Sequence, residues 1–206
     1  SGYARRILFL VDRRALAAQA VTALAAFETL DRQKLDKEYD VFSQKMKRDD
    51  LEENVKFNSK VLRGHYMTDP GESHCYIYVS TIQRMTLNVL GADAYSGWEY
   101  DPGVDKLDIP VHAFDVIIAD ECHRGYSSRE DGLWKRVLDH FDGVKIGLTA
   151  TPAAHTVAMF GEPVFEYSTG QAVGKFTWHL FSFISRIDTQ RKVCQTPGLK
   201  TLGRRP

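Results

Sequence analysis

Residues 114–126 read Phe-Asp-Val-Ile-Ile-Ala-Asp-Glu-Cys-His-Arg-Gly-Tyr, a short apolar run that ends in two adjacent carboxylates. A continuous apolar run of this kind is typical of a strand that is covered on both faces of a parallel sheet. We therefore expect a buried strand over residues 114–119. Asp120 and Glu121 then lie at its carboxyl end, which is where open parallel sheets bind their ligands.

Similar runs occur on both sides of this segment and alternate with helical patterns. Further strands are predicted at residues 6–11, 39–42, 75–80, 144–148 and 164–167. Helices are predicted at residues 13–29, 81–90 and 133–141. Asp12 is placed to cap the first helix, and loops are expected at 69–71 and 91–110. Alternating strands and helices predict an α/β fold with a mainly parallel sheet.

The composition predicts one globular domain of 206 residues, 43% of them hydrophobic. Three widely spaced cysteines and seven histidines without paired spacing favour neither a disulfide framework nor a zinc site. No apolar run reaches the roughly 18 residues that span a bilayer, and the first residues lack a signal peptide's apolar region. We expect a cytoplasmic protein without membrane contact.

Charge is balanced over the whole chain, with 27 basic and 27 acidic residues, but it is unevenly distributed. In residues 175–206, Lys and Arg outnumber acidic residues seven to one. One hypothesis is that residues 174–206 are an atypical tail, disordered or a non-native continuation from a reading-frame error. The alternative is a genuine basic tail that contacts DNA.

The carboxylates at the end of the predicted strand suit magnesium and nucleotide chemistry. Asp120 can hold the cation through its water shell, and Glu121 can activate the water that attacks a terminal phosphate. His123 is near enough in sequence to sense that phosphate. For the Asp-Glu pair alone, an acidic helix cap is the alternative interpretation.

A second polar segment follows the strand predicted at 144–148, where residues 149–151 read Thr-Ala-Thr before Pro152. Small hydroxyl side chains at a strand end can relay hydrogen bonds between neighbouring sites when a nucleotide changes state. Thr149, Ala150 and Thr151 are therefore candidates for coupling a change of nucleotide state to neighbouring sites. By itself this segment could also be a threonine-rich turn before a proline.

Together these segments resemble motifs II and III of superfamily 2 helicases, the DEAD/DExH group. Residues 7–14, Ile-Leu-Phe-Leu-Val-Asp-Arg-Arg, resemble motif Ia, and residues 78–84, Tyr-Val-Ser-Thr-Ile-Gln-Arg, resemble motif Ib. Within that group the chain is similar to the motor (R) subunit of type I restriction endonucleases. That likeness also includes residues 141–156 and Phe-Gly-Glu-Pro-Val-Phe-Glu-Tyr-Ser at 160–168.

The resemblance implies a RecA-like three-layer motor domain over residues 1–173, with 31–74 as a looser insertion. It implies an ATP-dependent translocase that uses ATP and Mg²⁺, acts on double-stranded DNA, and works with modification and specificity subunits. Motifs Ia and Ib face the nucleic-acid backbone in that group. The residues expected to contact DNA phosphates here are Arg13, Ser80, Thr81 and Gln83, whose side chains can bond phosphate without reading sequence.

Two departures from that family limit the prediction. A phosphate loop is expected upstream of Arg6, so we expect the first strand and this loop to be missing. Residues 170–175, Gly-Gln-Ala-Val-Gly-Lys, do not replace it, because the glycine spacing is too short and Phe176 stands where a hydroxyl is required. The nuclease domain and second motor domain are also expected to be missing, so the fragment alone should neither cut nor translocate DNA.

Two alternatives remain open from the sequence. One is a fragment of another superfamily 2 helicase, from a type III restriction or a repair enzyme. The other, from a different class of function, is a truncated, non-catalytic module with a vestigial site.

Overall fold

The computed structural model describes residues 3–29, 32–45, 60–91, 106–123, 128–166 and 183–186, and for 128–131 and 183–186 the backbone alone. Most of the predicted loop 91–110 and most of the basic tail lie outside these residues. Among the described residues, no helix combines the length and the apolar character needed to cross a membrane.

Strands alternate with helices along the described chain. The strands are β1 (Arg6–Val11), β2 (Asp40–Ser43), β3 (Lys60–Val61), β4 (Tyr76–Thr81), β5 (Val116–Ala119), β6 (Val144–Thr149), β7 (Pro163–Phe165) and β8 (Phe183–Arg186). The helices are α1 (Arg14–Ala26), α2 (Gly64–Thr68), α3 (Ile82–Leu90), α4 (Ser128–His140) and α5 (Ala154–Phe160), with one 3₁₀ turn at Leu35–Lys37.

All eight strands form a single sheet in the order β3-β2-β4-β1-β5-β6-β8-β7. Every neighbouring pair from β3 to β6 is parallel, whereas β8 is antiparallel to both β6 and β7. The predicted α/β class with a mainly parallel, RecA-like sheet is confirmed. Strands β2 and β3, which lie in the segment predicted to be a looser insertion, pair directly with this sheet.

Helices cover both faces of the sheet, which produces three layers. On one face Leu10 packs in a cluster with Met85 of α3 and Val137 of α4. On the other face Val11 packs with Val21 of α1. Adjacent strand residues thus point into opposite cores, which explains why these strands read as continuous apolar runs and do not alternate. Leu10 and Val11 are fully buried, and each contributes roughly 1.5–3 kcal/mol of burial free energy.

The first helix is shorter than predicted. It spans Arg14–Ala26, and the N-cap position is held by Arg13, one residue after Asp12, without a side-chain cap from Arg13. At the other end Phe27 leaves the helical conformation, and its carbonyl accepts a 2.9 Å hydrogen bond from the Leu35 amide. The turn closed by this bond ends α1 three residues before the predicted limit of 29.

The fourth helix starts earlier than predicted, at Ser128 and not at residue 133. A glycine inside a helix costs about 1 kcal/mol relative to alanine, so Gly132 weakened the helical pattern. The tertiary fold overrides this local preference. The strand predicted at 164–167 is observed as β7, which spans Pro163–Phe165, and Tyr167 lies outside the described residues.

Candidate functional site

The carboxyl ends of β4, β1, β5 and β6 lie side by side and form what we call the functional edge of the sheet. The pairing places Val11 beside Thr81. It also places Ala119 between Leu10 and Gly147. Each residue predicted to act on nucleotide or DNA lies at the end of one of these four strands or shortly after it. The fold therefore gathers segments that are far apart in sequence at the edge where parallel sheets bind ligands.

The acidic turn after β5 is held by backbone hydrogen bonds to both neighbouring strands. The Asp120 amide donates to the Leu10 carbonyl at 2.8 Å, and the Cys122 amide donates to the Leu148 carbonyl at 3.1 Å. Between them Glu121 has a left-handed backbone, with φ of 51°, and its amide donates to Oδ1 of Asp120 at 2.9 Å. A non-glycine residue in this region is strained, and such strain is concentrated at functional sites.

Cys122 packs beneath the turn. Its side chain is buried, and burial raises the pKa of its thiol to about 12. A Cβ at Gly147 would lie 3.0 Å from Cys122 Sγ and 2.9 Å from Phe160 Cγ. The absence of a side chain at Gly147 thus lets the thiol and the ring approach β6 closely. Of the two roles that a cysteine here could have, the structure favours a buried filler over a reactive thiol.

A chain of polar contacts joins the turn after β5 to the turn after β6. His123 Nδ1 lies 2.7 Å from Thr149 Oγ1 and 3.2 Å from Glu121 Oε2. Thr149 Oγ1 also accepts a 3.1 Å hydrogen bond from the Thr151 amide. Thr149 is buried, whereas Ala150 and Thr151 are exposed. The structure thus brings together the acid, the histidine and the threonines that the sequence placed about 25 residues apart.

The two carboxylates form a donor set that fits magnesium. Burial raises the pKa of Asp120, the charge of Glu121 raises it further, and the hydrogen bond from the Glu121 amide opposes both effects. A divalent cation relieves the repulsion between adjacent carboxylates, and carboxylate oxygens are ligands that Mg²⁺ prefers. Asp120 and Glu121 are the residues that would hold it.

The residues predicted to contact DNA are at the functional edge but differ in exposure. The Arg13 side chain is 69% exposed, and its Nε lies 3.3 Å from Oδ2 of Asp12. Gln83, in the first turn of α3, is half-buried. Ser80 and Thr81, in contrast, are 0% and 4% exposed. In this conformation Arg13 and Gln83 are accessible to a ligand, and the two hydroxyls are not.

The hydroxyls of Ser80 and Thr81 are bonded to a residue that sequence analysis missed. Both donate to Oε1 of Gln44 at 3.1 Å, and the Thr81 amide donates to the same oxygen at 2.9 Å. Gln44 directly follows β2 and is 4% exposed. A single glutamine after a weak strand signal carries no motif, so only the pairing of β2 with β4 could reveal it.

Most of this chain is similar in sequence to one known protein family. Residues 1–154 match the family model described as ResIII, the res subunit of type III restriction enzymes. This match covers most of the chain and includes both the acidic turn and residues 149–151. The chain belongs to the ResIII family.

Two curated relatives of this ResIII-family chain are restriction enzyme subunits. The type I restriction enzyme EcoKI endonuclease subunit of Escherichia coli (strain K12) is 36% identical over an alignment of 184 residues that covers 82% of this chain and 13% of that protein. The type I restriction enzyme EcoAI endonuclease subunit of Escherichia coli is 48% identical over an alignment of 85 residues that covers 39% of this chain and 10% of that protein. The resemblance to type I restriction motor subunits is confirmed.

The chain spans only these small shares of its relatives' lengths, 13% and 10%. No solved structure gives a significant match to it. Among the described residues of this ResIII-family chain, His, Cys, Asp and Glu nowhere form a group of three or more that could hold a metal ion. Arg124, Tyr126, His179 and the glycine-containing segment 170–175 lie outside the described residues.

Proposed function

We propose that this chain is part of an ATP-dependent motor that moves double-stranded DNA in a type I restriction enzyme, before the DNA is cleaved. The observation that carries this proposal is the contact of His123 Nδ1 with both Thr149 Oγ1 and Glu121 Oε2, at 2.7 and 3.2 Å. It links an acidic site suited to nucleotide chemistry to the neighbouring strand end. Membership of the ResIII family and the type I relatives support the assignment.

The acidic turn supplies the catalytic groups in this proposal. Asp120 would hold magnesium, and Glu121 orients and deprotonates the attacking water. The left-handed backbone of Glu121 and the bond from its amide to Asp120 fix the two carboxylates relative to each other. Bound Mg²⁺ and ATP would supply a polarised terminal phosphate at this site. The phosphate loop that such a site requires is predicted upstream of Arg6.

Coupling and DNA contact belong to the neighbouring strand ends. His123 and residues Thr149 to Thr151 transmit a change at the acidic turn across to β6, because Thr149 bonds both His123 and the Thr151 amide. Arg13 and Gln83 are the accessible DNA-backbone groups. Ser80 and Thr81 are assigned to the same surface, although a direct contact would require them to leave Gln44. The chain as a whole is neutral, so DNA binding depends on such local groups.

In this proposal the motor acts on double-stranded DNA in the cytoplasm, together with modification and specificity subunits. The relatives are named endonuclease subunits of type I enzymes, which supports an assembly of several subunits. A type III restriction helicase is the second candidate, because the description of the matching family refers to the res subunit of type III restriction enzymes. Sequencing the coding regions on both sides distinguishes the two, since each class carries different attached domains.

The test is Glu121→Gln in a chain extended on both sides to the length of its relatives, which we call the extended subunit. Glutamine keeps the size of the side chain but cannot accept the proton of the attacking water. We expect ATP binding within about threefold of wild type and DNA-stimulated hydrolysis lowered by at least about 100-fold, the usual range for a general base.

Glu162→Gln is the matched control, because Glu162 is exposed and precedes β7, which β8 separates from β6 in the sheet. It should leave both binding and hydrolysis unchanged. Undiminished hydrolysis by the Glu121→Gln protein would refute the assignment of Glu121. A wild-type extended subunit without any DNA-stimulated hydrolysis would refute the motor and favour the non-catalytic alternative.

A further inference from the structure

Gln44 lies where the chain leaves β2 next to the functional edge. Its amide donates to the Val79 carbonyl of β4 at 3.1 Å, so it continues the pairing of β2 with β4 by one residue. Its side chain is buried, and it points to the place where β4 ends and α3 begins. A neutral polar side chain buried here loses its water contacts and needs protein partners in their place.

The side-chain oxygen of Gln44 faces three hydrogen-bond donors, which belong to two consecutive residues. Its Oε1 lies 3.1 Å from Ser80 Oγ, 3.1 Å from Thr81 Oγ1 and 2.9 Å from the Thr81 amide nitrogen. A backbone N–H can only donate, so the atom facing it is the carboxamide oxygen and not the nitrogen. One oxygen atom thus fixes both the backbone and the side chains of the β4–α3 corner.

The same corner starts helix α3. Thr81 is the N-cap of α3, and its Oγ1 accepts a 3.3 Å hydrogen bond from the Arg84 amide. Because this oxygen accepts from Arg84, the Thr81 hydroxyl hydrogen is free to donate to Gln44. Gln44 therefore sets the orientation of the hydroxyl that caps the helix. Gln83, in the first turn of that helix, takes its position from this corner.

We propose that Gln44 is a positioning residue for DNA engagement: it holds the β4–α3 corner in the conformation that presents Gln83 beside Arg13. This inference rests on the proposed function, in which that surface faces the DNA backbone. Val11 pairs with Thr81, so the corner is directly adjacent to the chain that leads to Arg13. Packing alone does not require a glutamine here, because an apolar side chain could fill the same space without burying a carboxamide. A buried polar group with several partners defines one conformation of its surroundings.

The proposal is tested with Gln44→Leu and Gln44→Glu in the extended subunit. Leucine is similar in size but accepts no hydrogen bond, whereas glutamate keeps acceptor oxygens for the same three donors. The measurement is ATP hydrolysis as a function of duplex DNA concentration, together with hydrolysis without DNA. For Gln44→Leu we expect the half-saturating DNA concentration to rise about tenfold, which corresponds to about one lost hydrogen bond. Hydrolysis without DNA should stay within about twofold.

Gln44→Glu should keep the half-saturating DNA concentration within about threefold of wild type. Gln33→Leu is the matched control, since Gln33 is exposed in the turn after α1, and it should change nothing. Should Gln44→Leu not fold, Gln44→Asn takes its place. It keeps the carboxamide but is one methylene too short to make all three bonds, so the same rise is expected.

Hydrogen exchange of the Thr81 amide gives a readout that does not depend on DNA. It should be faster in Gln44→Leu than in wild type and unchanged in Gln33→Leu. The inference is overturned if Gln44→Leu folds and binds DNA as wild type does, or if Gln44→Glu is impaired as much as Gln44→Leu. If the wild-type extended subunit shows no DNA-stimulated hydrolysis, the proposed function has failed. The exchange result then still decides whether Gln44 holds the corner.

Discussion

At the scale of single residues, the geometry of Glu121 depends on what lies beneath it. Its left-handed backbone is strained, and it persists because the residues on both sides are bonded to neighbouring strands. Cys122 adds a packing contact to this support, because its sulfur rests over Gly147 of β6. The carboxylate that we propose to be catalytic therefore depends on a glycine more than 20 positions further along the chain.

Gly147→Ala should destabilise the fold, because the added methyl group would lie 2.9 Å from the Phe160 ring and 3.0 Å from Cys122 Sγ. Phe160 is fully buried and cannot move freely, so we expect a loss of about 1–3 kcal/mol of unfolding free energy. Urea denaturation measures it. Gly132→Ala is the control, since nothing lies within 4 Å of its added Cβ and α4 should gain about 0.5–1 kcal/mol.

Combining Gly147→Ala with Cys122→Ala checks the cause of that loss. Removing the sulfur relieves one of the two contacts, so the double variant should lose less free energy than the sum of the two single variants. Strict additivity, or a Gly147→Ala protein as stable as wild type, would contradict the packing described for this turn.

The sequence could predict a functional residue where the features that mark it are close to it in the chain. Asp120 and Glu121 stand out because an apolar strand delivers them. The support from Gly147 and the bonds of Gln44 were not predictable, because their partners come from other strands. Gln44 bonds Ser80, 36 positions away, and nothing in the local sequence around either residue marks that contact.

At the scale of elements, the amino ends of β1 and β5 are joined by a carboxylate. Asp115, just before β5, accepts from the backbone amides of Arg5 and Arg6 at 2.8 and 2.9 Å and from the Arg6 guanidinium at 2.8 Å. The Arg6 side chain also donates to the Pro70 carbonyl at 3.3 Å, which ties the loop before β4 to the same point. This network lies at the edge of the sheet opposite the functional edge.

The Asp115 network predicts a pH dependence of stability. Burial alone would raise the pKa of Asp115, but the bonds from the Arg6 side chain and from the Arg6 and Arg5 amides outweigh it and lower the pKa. An unfolded aspartate titrates near pH 3.9. With a lower folded pKa, the stabilisation is present above about pH 4 and is lost as the pH falls through the folded value.

Asp115→Asn should therefore lower the unfolding free energy at pH 7 by about 1–2 kcal/mol, a range reduced because the pair is partly exposed. It should also flatten the decline of stability below about pH 4. Urea unfolding at several pH values measures both effects. Asp139→Asn is the control, because its pair with Lys135 is an exposed helical i,i+4 pair worth roughly 0.2–0.5 kcal/mol. An unchanged pH profile in Asp115→Asn would contradict the role of this carboxylate.

The elements themselves were predictable where periodicity was strong. Strands β1 and β4 read as continuous apolar runs because their residues pack into cores on both faces of the sheet. Both strands were expected, as were β5 and β6. The limits of α1 were not, because its end is set by the hydrogen bond between Leu35 and Phe27, which the sequence does not encode locally. The short strand β3 was missed for a similar reason, since it is stabilised by pairing with β2 alone.

At the scale of the whole molecule, the order of strands places the proposed DNA surface and the proposed ATPase site on one edge. From β4 through β1 and β5 to β6, each neighbour is parallel to the next. Coupling between the proposed DNA surface and the proposed ATPase site therefore has to run across the sheet, from the end of one strand to the end of the adjacent strand. The mainly parallel topology was predictable from the alternation of elements. The antiparallel β8 was not, because it lies in the basic tail, where no strand pattern was recognised.

Thr149 makes this connection between the ends of the neighbouring strands β5 and β6. Its hydroxyl contacts His123 and accepts from the Thr151 amide, so it joins the turns after β5 and β6. Thr149→Val keeps the shape of the side chain and removes the hydroxyl, whereas Thr149→Ser keeps the hydroxyl and serves as the control. In the extended subunit, Thr149→Val should retain hydrolysis without DNA and the affinity for duplex DNA.

Stimulation of hydrolysis by saturating DNA should fall about tenfold in Thr149→Val, as expected when about one hydrogen bond between the two turns is lost. Thr149→Ser should keep more than about half of it. Titrating DNA at saturating ATP separates the maximal rate from the half-saturating DNA concentration. If both variants keep full stimulation, this contact does not couple the sites. If the half-saturating DNA concentration shifts and the maximal rate does not, Thr149 acts on DNA binding and not on the coupling between the strand ends.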